Sequence, residues 1–230
     1  MLKISSMKNK KPIWVYLLLS VLLFCNIIAA QVPVREEPHH KIVLENEYVR
    51  LFDGHISVGD TTVAHVHATN SVVLFLSKST FGIQNVGEKP VITEVNPGDM
   101  IYRAFGENPV NHTVWNQSIP MLHFMVIEVA KQRPNYDSCS IISQPDIKLA
   151  LSQKMVKAYN IDITKGKQYF LPKSKCAFLL INISGMVTVM YEGSICTLQA
   201  NDFVFFPPQR DIQINGNPYE PARSVLLELK

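Results

Sequence analysis

The rhythm of the apolar runs constrains this fold most. Beyond Gln31 they are short, rich in β-branched and aromatic residues, and cut every few positions by turn-formers. VLENEYVRLFDGHI, TTVAHVHA, SVVLFLSKSTFGIQNV, VITEV, DMIYRAF, NHTVWN and MLHFMVIEVA read as strands. GEK at 87–89 and NPGD at 96–99 read as turns. KQRPNYDSCSIISQPD, 131–146, is polar with two prolines and reads as a connecting segment. One helix is expected, Ile147 to Tyr159, whose apolar residues at 147, 151, 155 and 158 keep close to one face. From Asn160 the strand pattern returns. The two halves share a plan: PGDMIYRAFGE and ANDFVFFPPQR occupy equivalent places, each opening on a tight turn that carries an acid, Asp99 or Asp202. An all-β chain with an internal duplication is expected, two small barrels rather than one irregular one.

Residues 1–30 stand apart. Lys8, Lys10 and Lys11 precede the apolar run IWVYLLLSVLLFCNII, which ends at Ala29-Ala30. This is the layout of a secretory signal cleaved after Ala30; the alternative is an uncleaved anchor, the only route to a membrane. Four lysines and no acids lie in this segment, so the net charge falls from +3 to −1 without it. The basicity is in the leader, and the folded part makes no case for nucleic acid. Of the four cysteines, Cys139, Cys176 and Cys196 lie beyond the leader, which allows at most one internal disulfide; Cys176 and Cys196 fall on neighbouring expected strands. Asn111-His-Thr, Asn116-Gln-Ser and Asn182-Ile-Ser are possible glycan sequons in an exported chain.

The chemistry concentrates in GDTTVAHVH, 59–67. On a strand, residues i and i+2 share a face, so His65 and His67 project together. A third imidazole must come from another strand, and His112 in NHTVWN is the obvious supplier. Three neutral imidazoles suit one divalent transition metal: iron, manganese, zinc, nickel or copper. They leave positions open for water or substrate, as catalytic centres do.

Gly59, five residues and then His65-Val66-His67 resemble the first motif of the cupin superfamily. Gly98, Gly106 and His112-Thr-Val-Trp-Asn116 resemble the second. The resemblance spans roughly 80 residues, Asn46 to Val129, on the jelly-roll plan. It implies a barrel holding a metal and acting on a small organic molecule, as an oxygenase or isomerase. The alternative is a non-catalytic barrel that senses or stores a small ligand or metal. The chain departs from the pattern in three ways. The glutamate position falls on Ser71 or Val72, the proline is Ala104, and the loop from Gly106 to His112 is three residues longer than usual. The implied ligands are thus His65, His67 and His112, with no carboxylate among them.

The second half carries no histidine after Asn160. It resembles a degenerate cupin, with Phe178, Leu180, Val187, Val189 and Phe203 or Phe205 lining its interior, and a packing or dimerising role. The expected organisation is a leader at 1–30, a metal-binding barrel at 31–130, a linker with a short helix at 131–159 and a degenerate barrel at 160–230, a bicupin.

Supporting residues are few. His123 shares parity with Met121, Met125 and Ile127 and is a candidate acid or base if that face is the barrel interior. Tyr102 and Arg103 alternate across one strand, so one of them faces the pocket; Arg103 offers a fork for a substrate carboxylate. His39-His40, in the charged stretch REEPHHK, and His55 are expected on the surface.

Overall fold

The computed structural model describes residues 31–129, 142–171 and 173–230. The expected leader at 1–30, Cys139 and residues 131–141 of the expected linker lie outside these. The first half contains β1 (Val32–Pro33), β2 (His40–Glu45), β3 (Val49–Ile56), β4 (His65–His67), β5 (Ser71–Phe75), β6 (Ser79–Asn85), β7 (Val91–Val95), β8 (Met100–Arg103), β9 (Val110–Asn116) and β10 (Leu122–Val129). The second contains β11 (Ile147–Ser152), β12 (Val156–Ile163), β13 (Gln168–Leu171), β14 (Ala177–Ser184), β15 (Val187–Tyr191), β16 (Ser194–Leu198), β17 (Phe203–Phe206), β18 (Ile212–Gly216) and β19 (Ala222–Leu229).

Each half closes two sheets face to face. In the first, β1-β4-β9-β6-β7 opposes β2-β3-β10-β5-β8. In the second, β13-β18-β15-β16 opposes β11-β12-β19-β14-β17. The β2–β8 and β11–β17 sheets also pack back to back. Leu51, Leu74, Met125 and Ile127 meet Leu179, Ile181, Val225 and Leu227 there in one buried core. This explains why β10 and β19 are almost continuously apolar: each is buried on both faces, which erases the usual alternation.

The duplication is visible turn by turn. Pro97-Gly98, with Gly98 at φ 94°, makes the type II turn that a positive φ at its third position requires. Asp99 N–H donates to Asn96 O at 3.0 Å, and its carboxylate accepts from Asn96 N at 2.8 Å. Asn201 takes the glycine's place at φ 73°. Asp202 repeats both bonds with Gln199, at 3.2 and 2.7 Å. Both aspartates serve their own turns.

The expected helix at Ile147–Tyr159 is instead a hairpin of β11 and β12. It is the counterpart of the β2–β3 hairpin, including a register shift at Leu149/Leu151 that matches one at Ile42/Leu44. Its turn bond, Gln153 N to Val156 O, matches that of Asn46 N to Val49 O. Cross-strand pairing overrides a 3.6-residue periodicity that was real in the letters but spanned a turn.

In the second half, Phe178, Leu180, Val187 and Val189 fill the interior as expected. Phe203 and Phe205 do not; they pack against the core between the halves, and Phe206 points inward instead. Cys176 is disulfide-bonded and Cys196 is free, so these two do not pair. Asn116 and Asn182 are fully buried and donate to main-chain carbonyls: Asn116 to Ile56 and Pro120, Asn182 to Gly185 and Leu198. Neither side chain is available to carry a glycan.

Candidate metal centre

The strand β4 pairs with β9 so that His65 stands opposite His112. The HVH spacing puts His65 and His67 on one inward face, and all three side chains are buried. The ring centroid of His112 lies 4.7 Å from that of His65 and 5.1 Å from that of His67. The rings of the three expected residues are therefore neighbours.

A fourth joins them. His40, expected on the surface, is only 5% exposed. Its ring lies 4.8 Å from that of His65 and 5.6 Å from that of His67. The imidazole nitrogens of His40, His65 and His67 offer ligand atoms within 4.8 Å of one another. The surface reading failed because REEPHHK is part of the barrel. β1 pairs in parallel with β4, setting Val32 beside His65, and β2 pairs with β3, setting His40 opposite Gly54. Of the adjacent pair, His40 turns inward and His39 outward, as alternation along a strand requires. Gly54 makes the room: a Cβ there would stand 2.4 Å from the ring of Phe124, which packs edge-on against His40 at 5.3 Å.

Behind the ring of His40 sits Glu37, 2% exposed. It accepts from His40 Nδ1 at 2.7 Å, from His39 Nδ1 at 2.8 Å, and from the main-chain N–H groups of His39 and Val63 at 2.8 and 3.3 Å. Burial raises its pKa, but the hydrogen bonds from His40 and His39 outweigh burial and hold the carboxyl down at about 2. Nothing in the letters marks this residue except an acid three positions ahead of a histidine.

The donor set fits a metal ion. Glu37 opposite His40 Nδ1, and the Val63 carbonyl 2.8 Å from His65 Nδ1, both require a proton on Nδ1. On neutral His65 that leaves the Nε2 lone pair able to accept from His67 Nε2 or to bind an ion. His65 Nε2 and His67 Nε2 are 3.1 Å apart, the span of two metal–nitrogen bonds of about 2.1 Å meeting at roughly a right angle. His67 Nδ1 is buried with no partner among the described residues, so hydrogen bonds within the protein do not fully satisfy this cluster. Burial, with the neighbouring imidazoles adding to it, lowers the pKa of His65 to about 4, of His67 to about 2 and of His112 to about 3. All three are neutral at neutral pH, the form that binds metal. The carboxylate absent from Ser71 is not supplied there: Ser71 is buried and its hydroxyl donates to Thr69 O at 2.7 Å. The negative charge lies one shell out, on Glu37, which accepts from His40 Nδ1 and fixes the orientation of that ring.

His40, His67 and His112 line a cavity of about 430 Å³. Its walls are apolar, with Phe75, Phe81, Ile101, Phe105 and Phe124, and Phe105 stacks on His67 at 5.0 Å. Exposed Lys89 and Arg103 also line it. Of the alternating pair, Arg103 borders the cavity, and Tyr102 packs against the core between the halves. His123 does share parity with Met125 and Ile127, but that face looks toward the second half, out of the barrel. There its Nε2 pairs with Asp53 Oδ1 at 2.8 Å. His123 is therefore placed away from the cavity.

The second half fills the same positions with hydrocarbon. Ile147, Leu171 and Ile212 take the register places of His40, His65 and His112, and all three are core residues. No imidazole site is repeated there.

Among solved structures, the chain is similar to a cupin 2 conserved barrel domain protein from Leptotrichia buccalis, at 10% identity over 83% of this chain and 88% of that chain, TM-score 0.56. It is similar to YhhW from Escherichia coli, at 15% identity over 83% of this chain and 89% of that one, TM-score 0.59. It is also similar to a salicylate 1,2-dioxygenase from Pseudaminobacter salicylatoxidans, at 10% identity over 91% of this chain and 82% of that one, TM-score 0.61. No family model matches the sequence, and no curated protein matches it. Identities this low speak for the fold alone, and they agree with the paired sheets and the inward HVH strand: this chain has the cupin fold.

Proposed function

We propose that the first barrel holds one divalent transition ion on His40, His65, His67 and His112, and that the chain is a metal-dependent oxygenase or isomerase for a small organic molecule. The observation that carries this reading is the buried imidazole cluster opening onto an apolar cavity. When bound, the ion supplies Lewis acidity and, if redox-active, a place for oxygen. The protein contributes the rest. His40 and His65 are held in the correct tautomer by Glu37 and Val63 O. Phe75, Phe81 and Phe105 exclude water from the reacting group, and Arg103 and Lys89 receive an anionic end of the substrate.

The fold likeness to a salicylate dioxygenase supports an oxidative reading. A binding role without turnover is favoured by a different observation: aromatic and aliphatic side chains, Phe75, Phe81, Ile101, Phe105 and Phe124 among them, make up most of the cavity wall. We further propose export, with residues 1–30 as the signal; a disulfide at Cys176 suits an oxidising compartment.

The test is elemental analysis of residues 31–230, purified without chelator or histidine tag. One equivalent of metal that wild type holds and His65→Ala/His67→Ala lacks supports the centre. No metal even after reconstitution sinks it. Oxygen consumption or isomerisation by the loaded protein then separates the enzyme from the binder, which would hold ligand without turnover.

A further inference from the structure

The alternation that turns Gly54 and Phe124 into the first barrel turns Asp53, His55 and His123 out of it. β3 and β10 pair with His55 directly opposite His123, and Asp53 lies two residues along the same face. The two imidazoles stack, with centroids 4.1 Å apart and planes 21° apart. Both address one carboxylate: His123 Nε2 is 2.8 Å from Asp53 Oδ1, and His55 Nδ1 is 3.8 Å from Asp53 Oδ2. One ligand atom from each residue falls within 4.8 Å of the others.

We infer that Asp53, His55 and His123 form a second metal site, on the outer face of the first barrel, that takes a borderline divalent ion such as zinc. Two imidazoles with one carboxylate suit zinc, copper or nickel and disfavour calcium and magnesium, which demand oxygen. The 2.8 Å spacing of Nε2 and Oδ1 is close to that of two ligands on one ion at about 2.0–2.2 Å. The proton that now joins them leaves when the metal enters. His55 is the most exposed of the three, its side chain 40% accessible, so its ring is free to turn and close the longer gap. Three protein ligands leave a position for water, which the partial exposure of all three admits. Lys41, opposite Asp53 on β2, also acts on this carboxylate; it is exposed and can swing into solvent. On the same face lie Leu51 and Met125, part of the core between the two halves. A bound ion would therefore staple the two central strands of the first barrel beside the joint with the second.

The experiment is zinc titration by calorimetry at neutral pH, with zinc counted by elemental analysis after gel filtration. The proteins compared are wild type, His55→Ala, Asp53→Asn and His65→Ala/His67→Ala. His55→Ala trims a half-exposed ring, and Asp53→Asn keeps the side chain's shape while removing its charge, so neither opens the core. The expected result is that each binds one zinc fewer than wild type, or binds that zinc at least about tenfold more weakly. The inner double variant is expected to retain the outer zinc. Equal stoichiometry and affinity in wild type, His55→Ala and Asp53→Asn overturns the site, whatever the inner histidines do. Loss confined to the inner double variant overturns the outer site and supports the first centre.

Discussion

Lowering the pH from 7 to 5 on chelated, metal-free protein should destabilise it steeply, and the sign and size follow from the buried histidines. Unfolded, each imidazole titrates near 6.5; folded, burial holds His65 at about 4, His67 at about 2 and His112 at about 3. Their contribution is fully present above pH 6.5 and is lost as pH falls below it, because the unfolded chain then binds protons that the folded chain refuses. From 6.5 to 5 is 1.5 units, or about 2 kcal/mol per histidine. Three together set a ceiling of about 6 kcal/mol, as large as the whole stability of many domains. Glu37, held at about 2, has the same sign but loses its contribution only below 4.5, outside this window. His55 is lowered and adds in the same direction; His39 is raised and opposes, its contribution being lost as pH rises. Both are partly exposed, so solvent screens them and they count for little. The assay is urea unfolding at pH 7, 6 and 5 with chelator. At a slope of about 1–3 kcal/mol/M, the ceiling corresponds to a midpoint lower by roughly 2 M or more at pH 5. Metal-loaded protein should resist the fall, because the ion competes with protons for the same lone pairs. A chelated protein with the same midpoint at pH 7 and 5 would refute the argument. So would a His65→Gln/His67→Gln variant that keeps the full pH dependence.

Three further outcomes are expected. Glu37→Gln should weaken metal binding by about 10–100-fold while leaving the fold intact, read by competition with a chromophoric chelator, because it removes the charge behind His40 without removing a ligand. Gly54→Ala should cost about 1–3 kcal/mol in chemical unfolding and reduce metal occupancy, since its Cβ meets Phe124 at 2.4 Å and the ring must shift beside His40. Leu227→Ala, in the core shared by the two halves, should cost about 2–5 kcal/mol and lower both halves in a single transition. Two separate transitions, with the first half unaffected, would show that the halves do not depend on that core.

Some of this was readable from the letters because it is local. Period-two patterning and turn residues dictate strands and tight turns wherever the chain goes, so the all-β class, the NPGD turn and the inward pairing of His65 with His67 could be read directly. The duplicated plan could be read because each half repeats the same turn chemistry. The mistaken helix at 147–159 has the opposite lesson. Four apolar residues can sit at helical spacing across a hairpin turn, and only the presence of β12 as a pairing partner decides between the two. The face of His123 was equally undecidable. β10 is apolar on both sides, and parity shows which residues share a face without showing which face is the inside.

What the sequence by itself determined is therefore the strand class, the repeat and the pair of histidines on one strand, all set by backbone geometry over a few residues. What only the tertiary structure decided is the composition of the metal centre. His40 and Glu37 reach it because β1 pairs with β4 and β2 pairs with β3, contacts between distant parts of the chain. A histidine's ability to bind metal depends on being neutral, oriented and close to its fellows, and burial among those partners supplies all three.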